Sequence, residues 1–258
     1  MRTIRIVTFN IAHARGLSPI PRICSERKAR ANLQKIARLL VRLNADIVAL
    51  QEIDENSRWN GSFNHLEVLR EQAGFPHAVF GINNRRTGRF NFSYGNAILS
   101  RHPIVTSENL TFGSAKVGEK GCLFTEIDFA GRLLPFVNLH LHYGSRARRF
   151  LQVEQVMAYL DKKHLQRRSA WRLPPILCGD LNNPSHKPDA TASLLEYFLR
   201  HGHYTLHPLL GARTFPSAWP RRSLDFVFLP PDCHRPMSRV VRSLLSDHCP
   251  VLVEFSLP

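Results

Sequence analysis

Residues 175–182 read PILCGDLN, and this stretch joins an apolar segment to two polar side chains. Ile176–Cys178 is an apolar run that suits a buried strand, and it stops at a glycine. Asp180 and Asn182 follow at once. Glycine, aspartate and asparagine are typical of tight turns, so one interpretation is a turn and nothing more. The other is a strand whose end holds a reacting water and a phosphate. The rest of the sequence has to decide between them.

The N-terminal segments follow the order of a layered α/β fold. Ile4–Phe9 is a short run typical of a strand, and Ile47–Leu50 is a fully apolar run typical of a buried strand. Between them, apolar residues recur at three- and four-residue spacing over Arg27–Leu43, which predicts an amphipathic helix. A strand, a helix and a second strand in succession favour helices packed on a sheet.

The rest of the chain alternates strand-like and helix-like segments without a repeat, a low-complexity linker or a break in composition. Further strands are predicted at His77–Ile82, Ala97–Leu99, Ile104–Thr111, Leu123–Phe129, Leu133–Leu139, Phe226–Leu229, Arg239–Ser243 and Val251–Phe255. Further helices are predicted at His65–Ala73, Arg146–Lys163 and Thr191–His201. Turn formers predict an exposed basic loop at Asn83–Asn91 and a hairpin turn at Ala130-Gly131. We therefore predict one domain over residues 1–258.

The chain is strongly basic. Its 35 lysines and arginines against 20 acidic residues give a formal net charge of +15 at pH 7. Such a charge attracts polyanions, which include nucleic acid, anionic membrane surfaces and phosphorylated metabolites. The alternative is that the basic residues only serve solubility.

Cysteine usage and the N-terminus favour a cytoplasmic, soluble protein. The five cysteines are an odd number, and no pair has the spacing of metal ligands, which favours thiols in a reducing compartment. The start MRTIRIVTFN lacks the apolar core and cleavage site of a signal peptide. No apolar stretch approaches the ~20 residues of a membrane span. A peripheral contact with an anionic membrane stays open.

Polar side chains collect at the ends of the predicted strands. They are Asn10, Glu52, His140, Asp180, Asn182, Asp225, Asp247 and His248. Each alone suits a turn or a structural role, but the set suits the hydrolysis of a phosphate ester. That reaction needs a divalent cation, a group that orients water, and donors that meet charge on the phosphate. The many oxygen ligands favour Mg²⁺, with Mn²⁺ as the alternative, over zinc.

Seven short motifs occur in order along nearly the whole chain. They are TFN at 8–10, LQE at 50–52, YGNAILSR at 94–101, VNLHL at 137–141, GDLN at 179–182, SLDFVF at 223–228 and SDHCP at 246–250. Together they resemble the endonuclease/exonuclease/phosphatase superfamily of metal-dependent phosphohydrolases, which includes deoxyribonuclease-like and sphingomyelinase-like members. The resemblance implies an α/β fold, a four-layer sandwich of two mixed β-sheets flanked by helices.

The resemblance also implies which residues hold the metal and the water. Glu52 would be the main Mg²⁺ ligand, with Asn10 and Asp247 near the metal. Asp180 would orient and activate the water, and Asn182 would hold that water or the phosphate.

The two histidines take the remaining roles that the resemblance implies. His140 and His248 would stabilise the phosphate, and His248 is the alternative general base. Asp225 would orient His140, and Asp247 would also orient His248.

Further candidates to contact a substrate phosphate are Asn96, Arg146 and Arg149. The two arginines lie in the first turn of a predicted helix, where cations oppose the helix dipole. An incoming phosphate would compensate for that opposition, and the alternative is that both side chains reach local acids or solvent.

A second basic segment carries arginines and aromatic residues together. Arg85, Arg86 and Arg89 could form a rim for a polyanion. Phe90 and Phe92 alternate with them and suit either base stacking or core packing. His13, three residues after Asn10, is expected to be a loop residue rather than a ligand.

The sequence therefore predicts a Mg²⁺-dependent hydrolase of phosphodiester or phosphomonoester bonds, nuclease-like on nucleic acid. One alternative is a phosphodiesterase or phosphatase that acts on a phospholipid or a phosphoinositide. A further alternative is a phosphate-binding protein without turnover.

Overall fold

The computed structural model describes residues 2–19, 24–113, 118–167, 169–171, 173–183, 189–209 and 211–257. Within these residues, twelve strands form two mixed sheets of six. The first sheet contains β1 (Arg2–Asn10), β2 (Ile47–Asp54), β3 (His77–Arg86), β4 (Phe92–Ser100), β11 (His234–Val240) and β12 (Val251–Leu257). The second sheet contains β5 (Ile104–Thr111), β6 (Gly121–Phe129), β7 (Arg132–His140), β8 (Ile176–Asp180), β9 (Thr205–His207) and β10 (Asp225–Leu229).

Four helices cover the outer faces of the sheets in the described part of the chain. They are α1 (Glu26–Leu43), α2 (His65–Ala73), α3 (Arg146–Arg167) and α4 (Ala190–Gly202). The sequence supplies both ends of α1, because Ser25 accepts a hydrogen bond from the Lys28 amide and Asn44 takes a left-handed conformation. None of these helices has the length and apolar character needed to span a bilayer.

Three apolar clusters divide the molecule into four layers. One lies between the first sheet and helices α1 and α2, one lies between the two sheets, and one lies between the second sheet and helices α3 and α4. This arrangement confirms the predicted α/β sandwich of two mixed sheets flanked by helices.

The strand order places parallel pairs at the centre of both sheets. The first sheet runs β11-β12-β1-β2-β4-β3, and the second runs β5-β6-β7-β8-β10-β9. In each sheet the central pair is parallel, β1 with β2 and β7 with β8. The carboxyl ends of a parallel pair lie at one edge, where polar side chains that follow the strands meet.

The strand predicted at Ala97–Leu99 is the longer β4, the strand β9 was not predicted, and two further differences lie at sheet edges. The loop predicted at Asn83–Asn91 is shorter, because β3 continues to Arg86 and the connection is 87–91. The strand predicted at Arg239–Ser243 is wrong in its bounds, since β11 spans His234–Val240. Edge strands carry charged and polar residues because one side faces solvent, so they lack the apolar pattern that marks a central strand.

A buried amide joins the two sheets beside the ends of their central strands. Asn138 on β7 is fully buried, and its Nδ2 donates to Leu50 O on β2 and to Ala97 O on β4, both at 2.9 Å. Its Oδ1 accepts a hydrogen bond from Gln51 Nε2 at 2.7 Å. Buried polar groups stabilise a fold only when they are paired, so these bonds fix the separation of the sheets at this level.

We expect Asn138→Ala to lower the free energy of unfolding by about 3 kcal/mol, because it leaves two backbone carbonyls and one amide without this partner. Urea unfolding measures the change. The control is Asn109→Ala, which removes an exposed amide that donates to Ile82 O and should cost under about 1 kcal/mol. Asn109 on β5 and Ile82 on β3 also belong to different sheets, so equal losses in the two variants would show that the buried bond between the sheets contributes no more than an exposed one.

Candidate functional site

Three titratable residues lie side by side on neighbouring strands of the second sheet. The parallel register of β7 and β8 pairs His140 with Asp180, and the antiparallel register of β8 and β10 pairs Asp180 with Asp225. Residues paired across strands project from the same face of a sheet. The sheet therefore presents an imidazole and two carboxylates in a row, and all three residues are buried.

The glycine of GDLN allows this row to form. A Cβ atom at Gly179 would lie 1.8 Å from Leu139 O, and the residue has a φ of +144°. Only glycine fits such an approach between β8 and β7. Beyond it, the Asn182 amide donates to Asp180 Oδ1 at 2.9 Å, while Asn182 Nδ2 donates to Leu141 O at 2.9 Å. The segment is a tight turn, and it also presents reactive groups.

The first sheet adds two residues to the row. Asn10 ends β1, and its Nδ2 donates to Asp180 Oδ2 at 2.9 Å. Glu52 lies at an irregularity in the pairing of β2 with β4, and its φ is +50°. His140 Nε2 lies 3.9 Å from Glu52 Oε1 and 3.4 Å from Asp180 Oδ2. Glu52 from the first sheet and Asp180 from the second thus both lie near the ring of His140, so the two sheets meet at the site.

His248, in the loop before β12, completes the group. Its Nδ1 lies 2.9 Å from Asp225 Oδ2, and its Nε2 lies 3.7 Å from Asp180 Oδ2. The prediction that Asp225 orients His140 is therefore wrong, because the structure pairs Asp225 with His248. Asp247 contacts Arg15 at 2.5 Å instead of holding the neighbouring imidazole. The chain path of the loop decides this pairing, and the sequence motif does not encode it.

Burial and charge give the two histidines opposite protonation states. Burial alone would lower the pKa of His248, but the carboxylates of Asp225 and Asp180 outweigh it and raise the pKa to about 10. Burial, together with the ammonium of Lys120, holds the pKa of His140 well below its usual value. At neutral pH, His248 carries a proton and His140 is neutral.

The two principal carboxylates are also shifted in opposite directions. Burial, with the adjacent charge of Asp225, raises the pKa of Asp180 to about 7. Burial would raise the pKa of Glu52 as well, but a lysine and two imidazoles outweigh it and hold that pKa well below the usual range. Glu52 is therefore a permanent anion, whereas Asp180 can accept a proton near neutral pH.

Lys120 is a site residue that the sequence analysis missed. Its Nζ lies 2.9 Å from Glu52 Oε1, and only 6% of the residue is exposed. It precedes β6, in the segment GEKG at 118–121, where the flanking glycines indicate a turn but not a function. A buried lysine is uncommon without an acidic partner, and here Glu52 is that partner.

His13 also lies at the site, although the sequence favoured a loop residue. Its Nδ1 lies 2.9 Å from Asp54 Oδ2, and its Nε2 lies 3.7 Å from Glu52 Oε2. Asp54 is fully buried and accepts further hydrogen bonds from Trp59 Nε1 and Asn60 Nδ2. A hydrogen-bonded carboxylate thus fixes the ring of His13 beside Glu52.

The three residues predicted to contact a phosphate, Asn96, Arg146 and Arg149, contact other groups of the protein. Asn96 is fully buried, and its Nδ2 donates to Gly121 O and Asn138 O. Arg149 is buried and pairs with Asp189, the N-cap residue of α4. Arg146 is exposed, and its guanidinium lies 5.1 Å from the centroid of the Phe150 ring. A role for these three in phosphate binding stays a prediction.

The site has the donor chemistry of a hard divalent cation. Asp180 and Asp225 offer carboxylate oxygens within 4.8 Å of each other, and the protonated His248 lies beside them without a free lone pair for a metal. Glu52 adds a carboxylate that already accepts a cationic group at 2.9 Å, whereas Asn10 turns its Nδ2 toward Asp180 and its Oδ1 toward the Ala12 amide. Carboxylate and amide oxygens are the ligands that Mg²⁺ prefers, so the residues present fit this ion.

Comparison with known proteins agrees with this geometry. The sequence model of the endonuclease/exonuclease/phosphatase family matches residues 7–248 of this chain. An uncharacterised protein of Caenorhabditis elegans, F14F9.5, is 29% identical over 203 residues, which are 71% of this chain and 54% of that protein. The chain thus spans about half the length of this curated relative.

Solved structures share the fold. An endonuclease/exonuclease/phosphatase from Beutenbergia cavernae is 22% identical with a TM-score of 0.74, and the match covers 100% of this chain and 72% of that one. A mannosyl-6-phosphatase from Bacteroides thetaiotaomicron is 18% identical with a TM-score of 0.67, and the match covers 98% and 100% of the two chains. At these identities the likeness concerns the fold.

We expect Asp225→Asn to lower the pKa of His248, because it removes the anion that contacts Nδ1. Nitrogen chemical shifts of the imidazole, followed by NMR from pH 5 to pH 10, measure the change. In the parent protein the ring stays protonated at pH 8, and in the variant it loses its proton at a lower pH. Asp232→Asn, at the connection of β10 and β11, is the control of equal charge. An unchanged titration in Asp225→Asn would contradict the pairing.

We expect Lys120→Met to raise the affinity of the site for Mn²⁺ at least about tenfold, because it removes a cation that shares Glu52 with the metal. Isothermal titration calorimetry of Mn²⁺ binding measures the effect. Lys163→Met removes the partner of Glu108 and serves as the matched control. Unchanged Mn²⁺ affinity in Lys120→Met would mean that the metal and Lys120 do not compete for Glu52.

Proposed function

The chain belongs to the endonuclease/exonuclease/phosphatase family of phosphoester hydrolases, and we propose that it hydrolyses phosphodiester bonds of nucleic acid with Mg²⁺ or Mn²⁺. One observation carries this proposal. His140 Nε2 lies 3.1 Å from Asn182 Nδ2, 3.4 Å from Asp180 Oδ2 and 3.9 Å from Glu52 Oε1. Groups from both sheets therefore converge within reach of one phosphate.

Asp180 is the residue best placed to act on the attacking water. Its two oxygens accept hydrogen bonds from Asn10 Nδ2 and from the Asn182 amide, which fix the carboxylate in one orientation. A pKa of about 7 lets the carboxylate take a proton from water without a large energetic cost. A divalent cation, when bound, neutralises phosphate oxygens and stabilises the leaving group.

The two histidines divide the task of binding the phosphate. His248 holds its proton and can donate a charged hydrogen bond to a phosphate oxygen, while Asp225 keeps its ring in place. His140 is neutral, and its Nε2 accepts a hydrogen bond from Asn182 Nδ2, so it positions the side chain of Asn182 beside the phosphate. Donors already in position meet the charge that develops on phosphorus oxygens.

Charge supports nucleic acid as the substrate. The net charge of +15 favours a polyanion with many phosphates over a single head group. We further propose one catalytic domain over residues 1–258, since the site combines Asn10, from the first strand, with His248, from the loop before the last. A cytoplasmic location is supported by five buried cysteines that are all free thiols.

We expect the parent protein to hydrolyse bis-p-nitrophenyl phosphate with Mg²⁺ or Mn²⁺, and Glu52→Gln and His248→Ala each to lower kcat by about 10²- to 10⁴-fold. Release of p-nitrophenolate measures the rate. Glu254→Gln and His234→Ala, both on strands of the first sheet, are the matched controls and should retain the parent rate. A parent protein without turnover under any divalent ion would instead favour a silent phosphate-binding protein.

A further inference from the structure

The β3–β4 hairpin extends past the rest of its sheet. Strand β2 pairs with β4 as far as Asp54 and Tyr94, whereas β3 and β4 stay paired to Arg86 and Phe92. Strand β3 is also the edge of the sheet, so the tip of the hairpin has no further strand beside it. The tip therefore continues past the last residues of β2 that pair with β4, and the segment after β2 contacts it through Arg58 N, which donates to Asn91 O.

The two phenylalanines of this hairpin have different surroundings. Phe92 is 6% exposed, and its ring stacks on Trp59 with centroids 5.4 Å apart and an angle of 14°. Phe90 is 62% exposed. The sequence offered core packing or base stacking for both rings, and the structure assigns core packing to Phe92 only. Other large apolar side chains of this protein are as exposed as Phe90, so its surroundings, and not its exposure, distinguish it.

Arginines surround the exposed ring. The guanidiniums of Arg58 and Arg89 lie 5.4 and 5.8 Å from the centroid of Phe90. Arg58 also donates to Arg89 O at 2.5 Å, which ties the hairpin tip to the preceding segment. We call the set of Arg58, Arg85, Arg86, Arg89 and Phe90 the Phe90 platform; its four arginines are all exposed.

The Phe90 platform has an excess of positive charge that the protein does not neutralise. Arg85 pairs with Glu55 at 2.7 Å. Within the residues that the structure describes, no acidic partner is found for the other three guanidiniums. Clustered, exposed guanidiniums repel one another, so an anionic ligand would stabilise the arrangement.

A row of rings connects the platform to the catalytic site. Trp59 follows Arg58 in the chain, and its ring centroid lies 5.7 Å from that of His13. His13 Nε2 in turn lies 3.7 Å from Glu52 Oε2. Trp59 and His13 thus link the platform to Glu52, so a nucleic acid strand bound at the catalytic site has the platform as its neighbour.

We propose that the Phe90 platform binds an unpaired segment of nucleic acid, with a base stacked on Phe90 and the neighbouring phosphates on the arginines. The inference rests on the proposed function and deepens it, because it names single strands as the substrate class. In a duplex the faces of the bases are covered by their neighbours, so an exposed ring can stack only on a base that is free. Arginine guanidiniums both contact phosphates and stack on bases.

An anionic membrane surface is the competing partner for a basic patch with an apolar side chain. Stable peripheral binding needs a large buried apolar area or two lipid-directed signals. The Phe90 platform offers one exposed ring, and the next ring, Phe92, is already packed on Trp59. The observations therefore favour single-stranded nucleic acid, and the membrane becomes an outcome of the test.

Fluorescence anisotropy of the full chain in EDTA tests the platform without turnover. The probes are a labelled oligothymidylate, a labelled oligouridylate and a blunt duplex of the same length. We expect Phe90→Ala to weaken binding of the single strands about tenfold. Phe90→Trp should bind them with the affinity of the parent protein, because it keeps an aromatic ring. Arg86→Gln and Arg89→Gln should each lower the slope of log affinity against log salt by about one. Leu165→Ala and Arg38→Gln, both exposed and on helices α3 and α1, are the controls.

Three results would overturn the platform. They are parental binding of the oligonucleotides by Phe90→Ala, equal affinity for the duplex, and, in co-sedimentation with phosphatidylserine vesicles, a loss of vesicle binding by Phe90→Ala while its oligonucleotide binding stays parental. The ratio of kcat/KM for the oligonucleotide to that for bis-p-nitrophenyl phosphate separates this inference from the proposed function. If Phe90→Ala hydrolyses the small diester and this ratio is unchanged, the platform is rejected and the proposed function stands. Binding through Phe90 with no hydrolysis of either substrate rejects the hydrolase and keeps the platform.

Discussion

The hydrogen bonds of Asn138 are the constraint on which the site depends. They join carbonyls of β2 and β4 in one sheet to β7 in the other, next to the strand ends that carry Glu52 and His140. Most of the interior between the sheets is apolar, although Asn96 on β4 also donates to Asn138 O and Gly121 O, and apolar contacts alone allow small sliding motions because they have no direction. A directional bond does not, so it sets the register of one sheet against the other. The distance between Glu52 and Asp180 follows from that register.

Placement in a low-dielectric interior gives similar side chains different states. His140 and His248 are both buried, yet His248 faces two carboxylates and keeps its proton, whereas His140 lies near Lys120 and does not. The two carboxylates also differ because of their neighbours. Lys120 lowers the pKa of Glu52, whereas burial and the charge of Asp225 raise the pKa of Asp180. At neutral pH the site therefore contains a carboxylate that can accept a proton and an imidazolium that can donate a hydrogen bond.

The sequence predicted the fold class and the meeting of the strand ends, because both follow from apolar runs and from motifs directly after them. Contacts that depend on the path of a connection were not predictable. Nothing in GEKG indicates that Lys120 reaches Glu52, and nothing in SDHCP indicates that His248 rather than His140 meets Asp225. Phe90 and Phe92 are two residues apart, which in one strand would put them on one face. The turn before β4 separates them instead.

The β3–β4 hairpin divides the molecule into a part that tolerates little variation and a part that tolerates much. Gly179 touches its neighbouring strand so closely that any other side chain would collide with it, and the catalytic strands are paired on both sides. The connection 87–91 is exposed over most of its length, and hydrogen bonds hold it only at Arg89 and Asn91 in the part of the chain that the structure describes. Mutations could therefore change the length and composition of the tip without disturbing the chemistry, so ligand preference could diverge among descendants of this scaffold while the reaction stays the same.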